Sequence, residues 1–292
     1  MNIHTIILAA GKGTRMNTNL PKVMQPLGGQ TLISHVIQTA KESSEYITVI
    51  VGHQKNILKT HIANLDPNIK TADQDDQLGT AHAVKVASHL IKDDEKILIL
   101  YGDVPLISPK TIEGLINSGH ECTLLTMQLN DPTGYGRVIT NGQNLALKII
   151  EQKDASEDEL KIEEVFTGIL LIDGSLLRPA LEEIKNQNSA NEYYLTDLVE
   201  ILSGKGVKIK CIQANPAEVL GANNKHELHE LELILRKMSA KKLLEQGITL
   251  IDKTRVDVRG TVVAGKDCSI DVNVILEGDV TLGNNVSIKS NV

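Results

Sequence analysis

The residues best equipped for chemistry begin in LAAGKGTRMNTNLPK, residues 8–22, where two glycines, Arg15, Lys12 and Lys22 follow an apolar run. Backbone amides in a tight turn, ringed by cationic side chains, suit a polyphosphate. Neither common phosphate-loop spacing is present. A Walker loop needs four residues between its first glycine and Gly-Lys-Ser/Thr, and the dinucleotide fingerprint needs glycine where this chain has Met16. No acidic residue closes the next strand, which ends Val51-Gly52-His53, so a nicotinamide cofactor is disfavoured. The stretch reads as a different phosphate cradle, with Gly11 and Gly13 shaping the turn and Pro21 fixing the backbone ahead of Lys22.

Tyr101-Gly102-Asp103 closes the most apolar strand, EKILIL. A carboxylate there, beside a glycine that lets a ligand approach, suits Mg2+, a hard ion that takes oxygen ligands and lets substrate phosphates complete its shell. The alternative is an aspartate capping the turn toward Pro105. Gln74 lies ahead of Gly79-Thr80, which would open a helix. Donors at a helix start suit an anion or a base carbonyl, and a glutamine amide can read a base edge. The competing reading is a capped surface helix. His226 and His229 have a metal-compatible spacing but no carboxylate or cysteine cluster of the right kind nearby, and read as a solvated face. No G-x-S-x-G supports serine-based catalysis.

These groups need a scaffold, and the pattern supplies one. HTIILAA, EYITVIVG, EKILILYGD and CTLLTMQL read as strands, while QTLISHVIQTAKES and GTAHAVKVASHLIK carry helical apolar spacing. Alternation of this kind implies parallel βαβ units, with ligands gathering at the carboxyl ends of strands. Residues 225–246 read as one helix with Leu228, Leu231, Leu235 and Met238 on a stripe. Beyond Gly247, Val256, Val262, Cys268, Val274, Val280, Val286 and Val292 recur every sixth residue. That period is a hexapeptide repeat, whose physical form is a parallel β-helix of about two coils. The repeat stops on a lead position without a cap, as expected of a fragment or a truncation.

The bulk properties narrow the class. The chain has 292 residues, enough for about two domains, and only 2% aromatic residues, so its core must be aliphatic. A formal charge of −7 disfavours a nucleic-acid-binding face. Three scattered cysteines indicate neither a disulfide framework nor a zinc knuckle and fit a reducing cytosol. The apolar run from Ile6 is too short for a leader peptide, and no stretch approaches a membrane span.

In order along the chain, LAAGKGTRM, LPKV, QLGTAHA, YGDVPL, GYGRV, IIEQKDA, EYYLTD and GANNK, followed by the hexapeptide repeat, resemble one family. It is that of the bacterial bifunctional N-acetylglucosamine-1-phosphate uridylyltransferases / glucosamine-1-phosphate N-acetyltransferases. The resemblance implies a Rossmann-like α/β nucleotidyltransferase domain with a mostly parallel mixed sheet (residues 1–224), a linker helix (225–247) and a partial left-handed β-helix (248–292). It implies uridylyl transfer from UTP to N-acetyl-α-D-glucosamine 1-phosphate in the cytoplasm, for peptidoglycan and lipopolysaccharide precursors, and a homotrimer for a full-length form. Leu8, Ala9, Ala10 and Gly11 would line the uridine nucleotide, with Lys22, Gln74, Gly79 and Thr80 also touching it and Arg15 meeting the phosphates. Tyr101 and Gly102 would stand near nucleotide and metal, Asp103 and Asn223 would hold Mg2+, and Gly136 and Glu151 would bind the sugar.

One position departs. Where the family reads N-T-G-I, this chain has Phe166-Thr167-Gly168-Ile169, which puts sugar choice in question. The acetyltransferase activity, carried in the family by a long β-helix and the tail beyond it, is expected to be absent. Two alternatives stand beside this reading: an inactive sugar-nucleotide-binding or assembly protein, and a uridylyltransferase for another sugar 1-phosphate.

Overall fold

The computed structural model describes residues 2–292. In chain order its elements are β1 (Ile3–Ala9), β2 (Pro26–Leu27), β3 (Gln30–Thr31), α1 (Leu32–Lys41), β4 (Tyr46–Val51), α2 (Lys55–Leu65), β5 (Lys70–Asp73) and α3 (Thr80–Lys85). There follow β6 (Lys96–Tyr101), α4 (Pro109–Ile116), β7 (Cys122–Gln128), β8 (Arg137–Thr140), β9 (Leu145–Ile150), β10 (Glu164–Asp173), α5 (Gly174–Glu183), α6 (Asp197–Gly204), β11 (Ile209–Gln213) and α7 (Pro216–Val219). The last are α8 (Lys225–Glu245), β12 (Thr249–Leu250), β13 (Val256–Ala264), β14 (Ser269–Ile270), β15 (Val274–Leu282) and β16 (Ser287–Ile288).

Nine strands form one mixed sheet in the order β5-β4-β1-β6-β10-β7-β11-β9-β8. The first four are parallel, and β10 runs antiparallel to both β6 and β7. From β1 the chain winds outward through β4 to β5, then returns to place β6 on the other side of β1. The loops after β1 and β6 therefore diverge and leave a crevice, the usual ligand position in open α/β sheets.

Both faces of the sheet are covered, as the doubly apolar strands require. Ile6, Leu8, Ile97 and Ile99 pack with Leu177, Leu181, Leu198 and Leu202 of α5 and α6. Ile7, Leu98 and Leu100 face Ile33, Val36, Leu58, Ile62 and Ile112 of α1, α2 and α4. Thr31 caps α1 by accepting from the Ser34 amide at 3.2 Å. The helix read over GTAHAVKVASHLIK is shorter than its pattern. Ala87 leaves the helical region (φ −96°, ψ 2°), and a 3-10 turn at Ser88–Leu90 then carries Ile91 into the core.

Met16, which breaks the dinucleotide fingerprint, is fully buried among Leu27, Leu32, Leu106, Ala222 and Leu231. It fastens the glycine loop to α1 and to the 21-residue helix α8. The stripe on α8 is realised, with Leu228, Leu235 and Met238 partly buried against the same cluster.

After α8, β13 pairs in parallel with β15, matching Val256 to Val274 and Val262 to Val280. β12, β14 and β16 form a second parallel stack. Hydrogen-bonded partners such as Ser269 and Ser287 lie 18 residues apart, three hexapeptides per coil. Left-handed backbone recurs with the same offset at Asp267 and Asn285, and at Asn273 and Asn291, turning the chain at equivalent corners. The inward Val256, Cys268, Ile270 and Val274 are buried, whereas Val292 is 64% exposed.

Replacing Met16 with alanine should lower stability by about 2–5 kcal/mol, the range for emptying a buried methionine site. Urea unfolding measures it; an unchanged midpoint would refute the anchoring role.

Candidate nucleotide and sugar-phosphate site

The crevice between the β1 and β6 loops opens into a cleft of about 630 Å³. Leu8, Ala9, Ala10, Gly11 and Arg15 form one wall, with Lys22, Tyr101, Asp103 and Asn223 at its base. Gln74, Gly79 and Thr80 border it on the α3 side, and Gly136, Glu151 and Phe166 on the side of β8 to β10. Gly102 is absent from this lining. A Cβ there would meet Ile33 Cδ1 at 3.0 Å and Val23 Cγ1 at 3.1 Å, so its small size serves packing beneath the loop and not ligand approach.

The glycine loop has a division of labour that its spelling conceals. Gly13 adopts φ +58°, and a Cβ would lie 2.6 Å from Lys22 Cβ, so this glycine lets the lysine stem pass. Gly11 has no such constraint, with open space where a Cβ would sit, so it does not shape the turn. The amides of Gly11, Lys12 and Gly13 make no backbone hydrogen bond among the described residues, which leaves them available to an anion. Arg15 is exposed and forms no ion pair among the described residues.

At the base, the Lys22 ammonium is ion-paired with Asp103 Oδ2 and donates to Asn223 Oδ1 at 3.1 Å. These partners are 81 and 201 residues away in sequence, yet both oxygens converge on one cationic nitrogen. A carboxylate and an amide oxygen are hard donors of the kind divalent cations such as Mg2+ take. No group of three or more His, Cys, Asp or Glu residues suited to a metal occurs among the described residues.

Gly79-Thr80 does open a helix, but its donors are partly spent. The Ala81 amide donates to Tyr193 O at 2.9 Å, and Thr80 Oγ1 accepts from the Leu195 amide at 2.9 Å. Gly79 has φ +113°, and a Cβ would stand 2.4 Å from Tyr193 O. This pair therefore docks the EYYLTD segment, while the Gly79 and Thr80 amides, at the edge of the cleft, make no hydrogen bond among the described residues. Buried Gln74 donates from Nε2 to Gly79 O at 3.0 Å and to His82 Nδ1 at 3.1 Å. With its donor end held, its Oε1 acceptor is the end left for a ligand N–H.

Across the cleft, pairing of β10 with β7 is interrupted between Phe166 and Leu170. Gly168, at φ +89°, would place a Cβ 2.6 Å from Tyr101 Cε2, so only glycine admits the tyrosine ring. Phe166 is buried, and its amide donates to Gly136 O at 2.9 Å. Thr196 Oγ1 donates to Glu151 Oε1 at 2.9 Å. Burial raises the Glu151 carboxyl, more than that hydrogen bond lowers it, with Asp154 and Glu192 adding repulsion. Burial likewise raises the Tyr101 phenol, helped by Glu151 and Asp103.

Thr196, Gly168, Glu227 and Arg137 were not singled out as functional by sequence reasoning. Arg137 is 1% exposed without an acidic partner; it donates to Gln152 Oε1 at 2.8 Å and to Tyr135 O, tying together the loops beside Gly136 and Glu151. GYGRV contains it, but nothing in that string tells a buried arginine from a solvated one.

A sheet with a switch point between β1 and β6, a cationic glycine loop at it and paired oxygen donors opposite place the cleft where open α/β domains bind their ligands. The sequence profile of the MobA-like NTP transferase domain matches residues 5–194, and the chain belongs to that family. It is 43% identical over 295 residues to the bifunctional protein GlmU of Idiomarina loihiensis, an alignment covering 100% of this chain and 64% of that protein. The chain thus spans somewhat less than two thirds of that curated relative. A Bacillus anthracis crystal structure designated a glucose-1-phosphate thymidylyltransferase, in complex with sucrose, shares the fold. Its TM-score is 0.61 at 19% identity, over 79% of this chain and 94% of that one.

Asp197, beside Thr196, has its carboxyl pushed up to about 6, chiefly by burial and then by Glu151, Glu200 and Asp154. A raised folded-state pKa means that ionisation opposes folding, so this group's contribution is present below about pH 4 and is lost as pH rises through about 6. Asp197→Asn should abolish that decline. Thermal midpoints across this window should diverge in the variant's favour as pH rises, and parallel curves would refute the assignment.

Proposed function

We propose that the chain transfers a uridylyl group from UTP to N-acetyl-α-D-glucosamine 1-phosphate, releasing pyrophosphate and UDP-N-acetylglucosamine. The observation that carries this reading is the convergence of Lys22, Asp103 and Asn223 at the base of the cleft. The 43% identity to the GlmU relative and the NTP transferase profile support nucleotidyl transfer, and the resemblance of the sequence motifs supports the choice of sugar and nucleotide.

An oxygen of the sugar 1-phosphate attacks the α-phosphorus of UTP. The new P–O bond forms as the bond to the β-phosphate bridge oxygen breaks, and pyrophosphate leaves. The nucleophile is already anionic at neutral pH, so no histidine or cysteine is needed, and catalysis is positioning plus charge stabilisation. Asp103 and Asn223 would hold Mg2+, which when bound neutralises charge on the triphosphate and the departing pyrophosphate. Lys22 spans the pair that would hold the cation, so substrate binding must redirect its ammonium onto phosphate. Arg15, exposed at the glycine loop and without an ion pair among the described residues, supplies the second positive charge. The free Oε1 of Gln74 suits the N–H of a uracil edge, with Leu8, Ala9 and Ala10 against the base.

Gly136, Glu151 and Thr196 form the sugar end in this reading, and Phe166 presents a ring there in place of an amide. Residues 1–224 act as the transferase domain, 225–247 as a linker helix, and 248–292 as part of a left-handed β-helix. The 18-residue coil period supports the last assignment. A homotrimer for a full-length form and a cytoplasmic location complete the proposal; among the described residues no helix is long and apolar enough to cross a membrane.

The direct test is pyrophosphate release from UTP and Mg2+ with N-acetylglucosamine 1-phosphate, set against glucose 1-phosphate. Turnover with another sugar alone would overturn the substrate assignment. Arg15→Ala should reduce turnover by about 10²–10³-fold, the scale for losing one charge-stabilising group. Its stability should change by no more than about 0.5 kcal/mol, as for an unpartnered surface residue. A wild-type rate would refute the role.

A further inference from the structure

Asn223 has an amide whose two ends are chemically different, and only its oxygen can ligate a cation. The end presented to the cleft is selected by Glu227. Asn223 Nδ2 donates to Glu227 Oε2 at 3.0 Å, and the Asn223 backbone amide donates to the same oxygen at 2.7 Å. A carboxylate only accepts, so the NH2 end is held against Glu227 and Oδ1 is left facing Lys22, the ammonium that also pairs with Asp103.

The position of Glu227 makes this arrangement distinctive. Asn224 caps α8, accepting from the Glu227 amide at 2.9 Å, and Glu227 is the third residue of the helix. In an ordinary capping box the carboxylate at this place reaches back to the amide of the capping residue itself. Here Oε1 accepts from Asn224 Nδ2 at 2.5 Å, while Oε2 reaches one residue further, to Asn223. Glu227 also lines the cleft. A helix-capping carboxylate has thus been turned toward an amide of the site.

We infer that Glu227 is a positioning residue for the cation site, acting through Asn223 to keep its carbonyl oxygen aimed at the ion. The inference rests on the reading of Asp103 and Asn223 as the cation ligands. In Glu227→Gln the new side chain has both a donor and an acceptor, so the Asn223 amide is free to turn and offer NH2 to the ion. Groups that orient metal ligands typically alter affinity by about 10–100-fold when replaced.

Binding of Mn2+ to the full chain with saturating UTP and no sugar phosphate, followed by electron paramagnetic resonance of the free ion, measures this without turnover. Glu227→Gln should weaken Mn2+ binding by about 10–100-fold. Asn224→Ala removes the helix cap but leaves the Asn223–Glu227 bonds, so it should lower the thermal midpoint and keep near-wild-type affinity. Wild-type affinity in Glu227→Gln, or equal weakening in Glu227→Gln and Asn224→Ala, would overturn the inference. Asn223→Ala separates the two levels. If it also binds Mn2+ normally, the ligand assignment itself fails; if it weakens binding while Glu227→Gln does not, only the positioning role fails.

Discussion

Everything at the site depends on the reversal of winding about β1. Because β4 and β5 are laid down on one side and β6 on the other, the loops ending β1 and β6 part company at the carboxyl edge. Their backbone groups cannot pair with each other there, and that leaves a crevice whose polar groups await a ligand. Arg15 and Lys22 enter it from the first loop and Asp103 from the second. The antiparallel β10 beside β6 then supplies the far wall through the irregularity at Gly168.

The second constraint is the attachment of α8. Met16 and Leu231 share a buried cluster, so the glycine loop and the long helix are parts of one packed unit. Glu232 Oε2 accepts from the Gly28 amide at 3.1 Å, and Lys225 donates to the buried Gln25, adding polar ties along the same seam. Asn223 and Glu227 sit at the start of this helix, and the loop it braces carries Lys22. Fixing α8 against the domain therefore fixes the paired oxygens at the base of the cleft. Midway along it, Arg236 donates at 2.8 Å to the buried Asp257 of β13, which also accepts from Arg259 at 3.0 Å, joining the helix to the first coil.

Charge is distributed along the cleft in a way that suits unlike ligands. The glycine-loop end is cationic, with Arg15 and Lys12 exposed. The opposite end holds the carboxyls of Glu151, raised by burial, and Glu192, together with the Thr196 hydroxyl. Carboxyls and a hydroxyl suit a neutral polyol better than a phosphate, because they accept hydroxyl protons and repel anions. Phe166 adds apolar surface to that end, where a polar amide was expected by resemblance.

Much of this was legible in the sequence: the alternation of strands and helices, the helical stripe from Leu228 to Met238, and the six-residue period are local patterns. Each follows from side chains repeating at the spacing of one backbone form, so no long-range information is needed to see it. The glycine loop was also visible as a turn carrying cationic side chains, although the separate duties of Gly11 and Gly13 were not. Whether a glycine must have φ > 0, or must clear a neighbour such as Lys22, Ile33 or Tyr101, depends on what the fold brings beside it. The same holds for Arg137, for the docking of EYYLTD on Gly79-Thr80, and for the ammonium shared by Asp103 and Asn223. Those pairs lie tens to hundreds of residues apart, and only tertiary packing, acting over ångströms, decided which of them meet.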